Sequence, residues 1–318
     1  MKEIGGYIEL DHYYGDMLHE CAIKLNSGRN ALAYLIEAKK IKRILMPKFM
    51  CNSCDDVLRK YGVEKRSYGI DLMFRPENIK LQDEEWIYIV NFYGQLSDLF
   101  IDELKKKYVR IIADYSQSYF RLPISGVDTL YSCRKYFGVP DGAILYTDRI
   151  IGRELQQDVS FERMKHILGR FEGSASDYYG AYTQGEEKFA DIPIMKMSKL
   201  TENLLHGINY EVCKERRTNN FQYLEKRLRS INKLSLTVPE GAFMYPLYID
   251  NGENIRKELQ LRKIYIPCLW PNVVNDYSYD ELENNMARNI LPLPVDQRYL
   301  PEDMEYIVDT IEQLIYEI

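Results

Sequence analysis

An α/β fold is what this sequence predicts: a mainly parallel central sheet with helices on both faces, followed by a smaller C-terminal α+β domain. Two observations lead there. Short apolar runs alternate with helical patterns through the first half, as they do when strands are joined by crossover helices. A long helical stretch then separates that half from a second set of short runs. At 318 residues and 46% hydrophobic, the chain is long enough for one large domain and one small one.

In chain order, Ser27 caps a helix that runs through Ala31, Leu32, Leu35 and Ile36. Residues 44–46, 87–91, 110–114, 129–132 and 143–146 read as buried strands, with helices over 52–61 and 101–108 between them. Met197, Leu200, Leu204, Leu205, Ile208 and Val212 recur at helical spacing, and the pattern resumes at Phe221, Leu224 and Leu228. A helical link between two domains is therefore expected, with residues 1–200 forming the large domain and its N-terminal arm, and 201–318 the link and the small domain. Residues 234–238, 244–249 and 265–267 read as strands of the small domain. Its last helix starts at Pro301 and is expected to bury Met304, Ile307, Val308, Ile311, Leu314 and Ile315.

Composition narrows the function. The 42 basic and 48 acidic residues give a formal charge of -6 with no long run of one sign, which disfavours a nucleic-acid or membrane surface. No apolar run reaches the length of a membrane span. Six cysteines are scattered through a large chain whose start lacks a signal-peptide core, so a reducing cytoplasm is the expected compartment. Cys51 and Cys54 have metal-like spacing, but no second pair follows and no histidines surround them, so no metal is expected. No Gly-x-Gly-x-x-Gly follows the first strand, which argues against a nicotinamide dehydrogenase.

The chemistry gathers at two short segments, 113–118 and 131–143. Lys135 follows one expected strand and precedes Gly138 and Gly142, a loop position from which an amine reaches the carboxyl edge of a parallel sheet. Taken alone it would read as a surface lysine. Ser132 alters that reading, because Ser-x-x-Lys lets a hydroxyl contact a phosphate while the amine reaches an aldehyde of the same molecule. Asp114 ends an apolar run and so emerges beyond the carboxyl end of its strand, where open α/β sheets bind ligands. A partly buried anion there needs a cationic partner. An amine for an aldehyde and a carboxylate for a protonated pyridine nitrogen together suit pyridoxal 5'-phosphate, the expected cofactor. Gln117 is placed to hydrogen-bond its phenolic oxygen. Ser27, Gly28 and Arg29 open a strong helix whose free N–H groups suit a phosphate, although an ordinary N-cap has the same sequence.

Ser27-Gly-Arg-Asn-Ala-Leu32, residues 47–62, Asp114-Tyr-Ser-Gln117 and Ser132-Cys-Arg-Lys135 occur in one order that resembles fold-type I pyridoxal phosphate enzymes. More closely, the chain resembles the DegT/DnrJ/EryC1/StrS family of sugar aminotransferases over nearly its whole length. Asn91-Phe-Tyr-Gly94 is similar to the family's His-x-Tyr-Gly segment, Arg216-Arg217-x-Asn219 to its Arg-Arg helix, and Leu291-Pro-Leu293 to its Leu-Pro-Leu ending. The resemblance implies that Lys135 is the Schiff-base lysine and Asp114 the pyridine partner. It further implies that Gln117 is the phenolic-oxygen ligand and that Ser132 joins Ser27, Gly28 and Arg29 at the phosphate. Cys51 occupies the place of the family's ring-stacking aromatic residue, with Phe49 or Tyr93 as other sources of a stacking ring. The asparagine of the family's Gly-x-Asn-x-Arg-Met-Ser segment is missing, its place taken by Ile194, and Lys196 stands for the arginine.

The implied reaction moves an amino group from an amino acid, with glutamate the expected donor, to a keto-sugar linked to a nucleotide, for polysaccharide or glycoside synthesis. The implied assembly is a homodimer with a shared active site. Arg134, Tyr178, Tyr179 and Lys196 are candidates for the substrate entrance, each with an alternative reading as a surface residue. Two other functions stay open. One is a pyridoxal phosphate-dependent sugar dehydratase or lyase, a subgroup in which histidine generally replaces the lysine. The other is a degenerate binding or regulatory protein, which Cys51, Ile194 and Lys196 favour and Lys135, Asp114 and Gln117 oppose.

Overall fold

The computed structural model describes residues 4–189 and 191–317, so the first three residues of the chain's start lie outside it. Seven strands form the central sheet: β1 (Ile23–Leu25), β2 (Arg43–Pro47), β3 (Glu64–Tyr68), β4 (Trp86–Val90), β5 (Ile111–Asp114), β6 (Asp128–Ser132) and β7 (Ala143–Tyr146). Their spatial order is β1-β7-β6-β5-β4-β2-β3. The run from β3 to β6 is parallel, and β7 is antiparallel to both of its neighbours. The sheet is thus mainly parallel, as its sequence pattern implies.

Burial explains which strands the pattern reveals. β4 (Trp-Ile-Tyr-Ile-Val) and β5 (Ile-Ile-Ala-Asp) are buried almost throughout, as continuous apolar strands covered on both faces must be. Two further strands escape that pattern. β3 reads Glu-Lys-Arg-Ser-Tyr and buries only Tyr68 fully, because it lies at a sheet edge. β1 is three residues long at the other edge, too short to show a period.

The helices of the large unit are α1 (Gly28–Lys39), α2 (Ser53–Tyr61), α3 (Asp98–Lys107), α4 (Lys165–Glu172) and α5 (Tyr179–Lys188). Ser27 caps α1, its side chain accepting the Asn30 N–H at 3.2 Å, and α1 packs on β6 and β7. The expected helical stretch consists of two helices, α6 (Lys199–His206) and α7 (Tyr210–Leu228). Gly207 closes the first and the Asn209 side chain caps the second, accepting from the Val212 N–H at 3.1 Å.

Beyond α7, β8 (Met244–Tyr248) carries the strand expected at 244–249, and α8 (Gly252–Leu261), α9 (Pro271–Asp276) and α10 (Leu282–Asn289) lead to β9 (Ile290–Pro294). The two strands pair antiparallel as a separate ribbon. Residues 234–238 and 265–267 are not strands. In the first, Thr237 turns its backbone to Gln95 of the large unit: its N–H donates to Gln95 Oε1 at 2.9 Å and its carbonyl accepts from Gln95 Nε2 at 3.0 Å. The true partner strand, Ile-Leu-Pro-Leu-Pro, carries two prolines that lack an N–H, which a ribbon with open edges tolerates. α11 (Pro301–Glu317) ends the chain and buries Met304, Ile307, Val308, Ile311 and Leu314, whereas Ile315 lies off that stripe and is 39% exposed. Phe221, Leu224, Leu247, Leu291 and Ile311 belong to a second hydrophobic cluster, distinct from the one around the central sheet. No helix among the described residues is long and apolar enough to cross a membrane.

His19 sits inside the larger cluster, 1% exposed, with Nδ1 3.0 Å from the Tyr146 hydroxyl and Nε2 2.9 Å from the Tyr119 carbonyl. Burial pushes its pKa below the ordinary 6.5, against the raising effect of the Tyr119 contact. The unfolded chain therefore binds the extra proton first, and stability falls as pH drops below about 6.5. In denaturant titrations from pH 7.5 to 5, His19→Phe is expected to lose part of that acid-induced destabilisation; an unchanged pH slope would contradict the assignment.

Candidate active site

The carboxyl ends of β4, β5 and β6 lie side by side, and the candidate residues extend from them. Asp114, the last residue of β5, is 8% exposed. Its Oδ2 accepts the Tyr88 hydroxyl at 2.8 Å and its Oδ1 accepts the Ser116 N–H at 2.7 Å. Lys135 ends a 3-10 turn, Cys133–Lys135, that leaves β6 directly. Its Nζ donates to the Ser116 hydroxyl at 2.9 Å and lies 5.6 Å from the Phe243 ring centroid. Ser116 therefore bridges the two charged groups, one through its backbone and the other through its side chain.

Gln117 is 1% exposed, and its Oε1 accepts the Tyr93 N–H at 2.8 Å, leaving its NH₂ as the donor end. That N–H is aimed by strain. Tyr93 has φ 52°, the left-handed region that costs a residue with a Cβ roughly 1 kcal/mol or more.

The start of α1 is joined to the Lys135 turn through the backbone. Ala143 pairs with Leu25 on one side and Ser132 on the other, so the end of β1 and the end of β6 lie two strand spacings apart, roughly 10 Å. Gly142 completes the link: its N–H donates to the Asn26 carbonyl at 2.8 Å and its carbonyl accepts the Cys133 N–H at 3.1 Å. Its φ is 115°, and a Cβ there would meet Thr201 Cγ2 at 3.0 Å and Cys133 Cβ at 3.1 Å, so only glycine fits. Buried Asp141 holds the same corner, accepting from the Ser198 N–H at 2.8 Å and the Ser198 hydroxyl at 2.7 Å. At the helix itself, Ser27 is engaged with Asn30, no acidic residue occupies the first turn, and the space beside Gly28 is open for at least 4 Å. The amides of Gly28 and Arg29 are first-turn donors of the kind that bind anions. The Ser132 hydroxyl is not used as a cap.

These donors and acceptors fit pyridoxal phosphate: an amine, a carboxylate near it, an amide donor and an open helix start near a serine. Phe49 and Tyr93, the alternative stacking rings, are both fully buried in an aromatic cluster with Phe74, Phe92 and Trp270. Cys51, partly exposed, lies with its Sγ 2.9 Å from the Ser53 hydroxyl and within electrostatic range of Lys135 and Asp114. Among the entrance candidates, Arg134 pairs with Glu186 and stacks on Phe189, 4.3 Å from its ring centroid. Tyr178 packs against Gly169 and Tyr179 is 64% exposed. Lys196 lies exposed on a bridge beside Leu25.

Sequence reasoning missed Ser116, Tyr88 and Phe243. Ser116 lies inside the Asp114-x-x-Gln117 segment, and Tyr88 is the third residue of its strand, where nothing marks a hydroxyl aimed at the next strand. Phe243 reaches the site from more than 100 residues away in sequence, with no local signal.

The strand order and the layers of helix on both faces give the fold of the type I pyridoxal phosphate transferases. Among its members the chain is similar over most of its length to sugar aminotransferases of the DegT/DnrJ/EryC1/StrS kind. PseC from Helicobacter pylori, an aminotransferase involved in pseudoaminic acid biosynthesis, superimposes with a TM-score of 0.67 over 93% of this chain and 87% of its own, at 12% identity. A DegT DnrJ EryC1 StrS aminotransferase from Brucella abortus gives 0.63 over 92% and 85%, at 16% identity. The PMP form of Spr1654, a putative sugar aminotransferase from Streptococcus pneumoniae, gives 0.65 over 96% and 94%, at 14% identity. No family model and no curated protein matches the chain in sequence.

Arg217 holds the small unit against this site. It is 1% exposed, and it donates to the Gln297 side chain at 2.7 Å, the Ala242 carbonyl at 2.9 Å and the Tyr136 carbonyl at 2.9 Å. Arg217→Leu removes a buried donor from all three, and although the Tyr136 carbonyl keeps Gln297 Nε2 at 2.9 Å, the unfolding free energy is expected to fall by on the order of 3 kcal/mol. Urea titration checks this; a loss within 0.5 kcal/mol, the range of about ±0.5 typical of surface changes, would refute it.

Proposed function

We propose that this chain is a pyridoxal phosphate-dependent aminotransferase. In this reading it takes an amino group from an amino acid, glutamate being the expected donor, and delivers it to a keto-sugar carried on a nucleotide. The observation that carries the proposal is the Ser116 bridge, which gathers Lys135 and Asp114 at one point of the sheet edge. Likeness in fold to sugar aminotransferases supports the substrate class.

When bound, the cofactor supplies an electron sink for the substrate carbanion. Lys135 would hold its aldehyde carbon, Asp114 its pyridine nitrogen, Gln117 its phenolic oxygen, and Ser27, Gly28, Arg29 and Ser132 its phosphate. Cys51 would line the same pocket. Tyr88 and the Ser116 N–H fix both Asp114 oxygens, so the carboxylate is oriented before any ligand arrives. Lys135 Nζ would accept and return the proton that an amino transfer moves. Ser116 gives that amine a resting acceptor beside Asp114, and the Phe243 ring covers it from the small unit.

The division into a large domain of residues 1–200 and a small one of 201–318 belongs to the same reading; the second hydrophobic cluster, drawn wholly from residues 221–314, supports it, although the first also takes in Phe243, Val273 and Met286. So does a homodimer with a shared site. Ile4, Tyr7 and Ile8 are each more than 90% exposed on an N-terminal arm without regular secondary structure, an apolar surface that a partner would cover. A cytoplasmic setting agrees with six free cysteines.

Purified protein titrated with pyridoxal phosphate is expected to gain a visible absorption band that shifts on adding glutamate. Borohydride should fix the label on Lys135, and Lys135→Ala should abolish the band; a label on another lysine, or no band, would sink the proposal. Asp114→Ala is expected to weaken cofactor retention and slow the glutamate half-reaction by orders of magnitude. Sedimentation velocity is expected to give a dimer at assay concentration, and an active monomer would refute the shared site.

A further inference from the structure

We propose that Cys51 and Cys54 form a redox-active dithiol, in which Cys51 attacks a small-molecule disulfide and Cys54 resolves the adduct into an intramolecular disulfide. The inference goes beyond the transaminase reading and rests on the two thiols and the helix start beside them.

Position is the first argument. Cys51 immediately precedes Asn52, the N-cap of α2, and Cys54 lies in the helix's first turn. A Cys-x-x-Cys straddling a helix start places both sulfurs at the end where backbone N–H groups favour an anion. The Asn52 side chain makes no capping hydrogen bond, so it does not compete for those amides.

The second argument is contact. Cys51 Sγ lies 2.9 Å from the Ser53 hydroxyl, and Cys54 is the group that bears most on the Cys51 thiol. Lys135 faces Cys51 as the cation within reach, opposed by Asp114, while Asp55 and Asp114 bear on Cys54. The pair is asymmetric in access as well: Cys51 is partly exposed and Cys54 is 8% exposed. Cys54, then Lys135 and Ser53, bring Cys51 down to about 6 against the cost of burial. Cys51 and its own burial push Cys54 up. An accessible, acidic thiol beside a buried, basic one is the division between attacking and resolving sulfur.

The exchange balances. The Cys51 thiolate bonds to one sulfur of the disulfide, the other sulfur leaves as a thiolate and takes a proton from water. Cys54 then loses its proton and bonds to Cys51 Sγ, expelling the second small thiol. Two protein thiols are oxidised by two electrons, and one disulfide is reduced to two thiols. Closure removes a thiolate from beside Lys135.

The test uses the full chain, reduced and then exposed to oxidised glutathione, with alkylation of remaining thiols and peptide mapping. Wild-type protein is expected to give a Cys51–Cys54 disulfide without a lasting glutathione adduct, and Cys54→Ser to trap glutathione on Cys51. The rate of Cys51 modification should be half-maximal near pH 6, well below the value of about 8.5 for a free thiol. Exposed Cys21 is the internal control. If Cys51 and Cys54 both stay alkylatable in the wild type while Cys21 takes up glutathione, or if Cys51 reacts with the pH profile of a free thiol, the proposal fails.

Discussion

A single buried guanidinium decides how the two halves of this molecule meet. Arg217 issues from α7, reaches the Tyr136 carbonyl next to Lys135, and binds the Ala242 carbonyl and the Gln297 side chain of the small unit. Its plane also lies over the Tyr136 ring, 4.5 Å from the centroid. A charge removed from water is tolerable only when its donors are used, and here they are spent on carbonyls at the ends of three chain segments. The turn that carries Lys135 and the strand that brings Phe243 beneath it are thus set by one side chain.

Around that anchor the site is built from backbone more than from side chains. Gly142 passes hydrogen bonds between Asn26 and Cys133, Ala143 is paired on both sides, and strained Tyr93 hands its N–H to Gln117. Geometry held this way depends on φ, ψ and register, which a single side-chain replacement seldom changes. The side chains then add chemical identity: amine, carboxylate, amide and thiol.

Much of this was legible beforehand, for identifiable reasons. The buried strands announced themselves because double coverage demands uninterrupted apolar residues. Asp114 stands out because it ends such a run at its carboxyl end, whereas Lys135 and Gln117 are picked out by Ser-x-x-Lys spacing, by the Asp-x-x-Gln segment and by family resemblance. What stayed hidden lacked any local signature. β3 is polar because it is an edge, β9 contains prolines, and residues 234–238 alternate like a strand while their backbone partner is a glutamine side chain. Phe243 and Ser116 acquire their significance only from contacts made in three dimensions. Cys51 reads in sequence both as a place without its expected ring and as half of a metal-spaced pair with Cys54, and the helix start at Asn52 gives that pair a different meaning.

Both margins of the central sheet are closed to further strands. At one, β3 presents Glu64, Lys65 and Arg66, and a new strand would have to be laid against charged side chains. At the other, β1 is already bridged by Lys196 of a returning segment. Charge at one edge and the returning segment at the other both work against another copy adding its strand there, so edge-to-edge growth into a fibre is disfavoured at both ends.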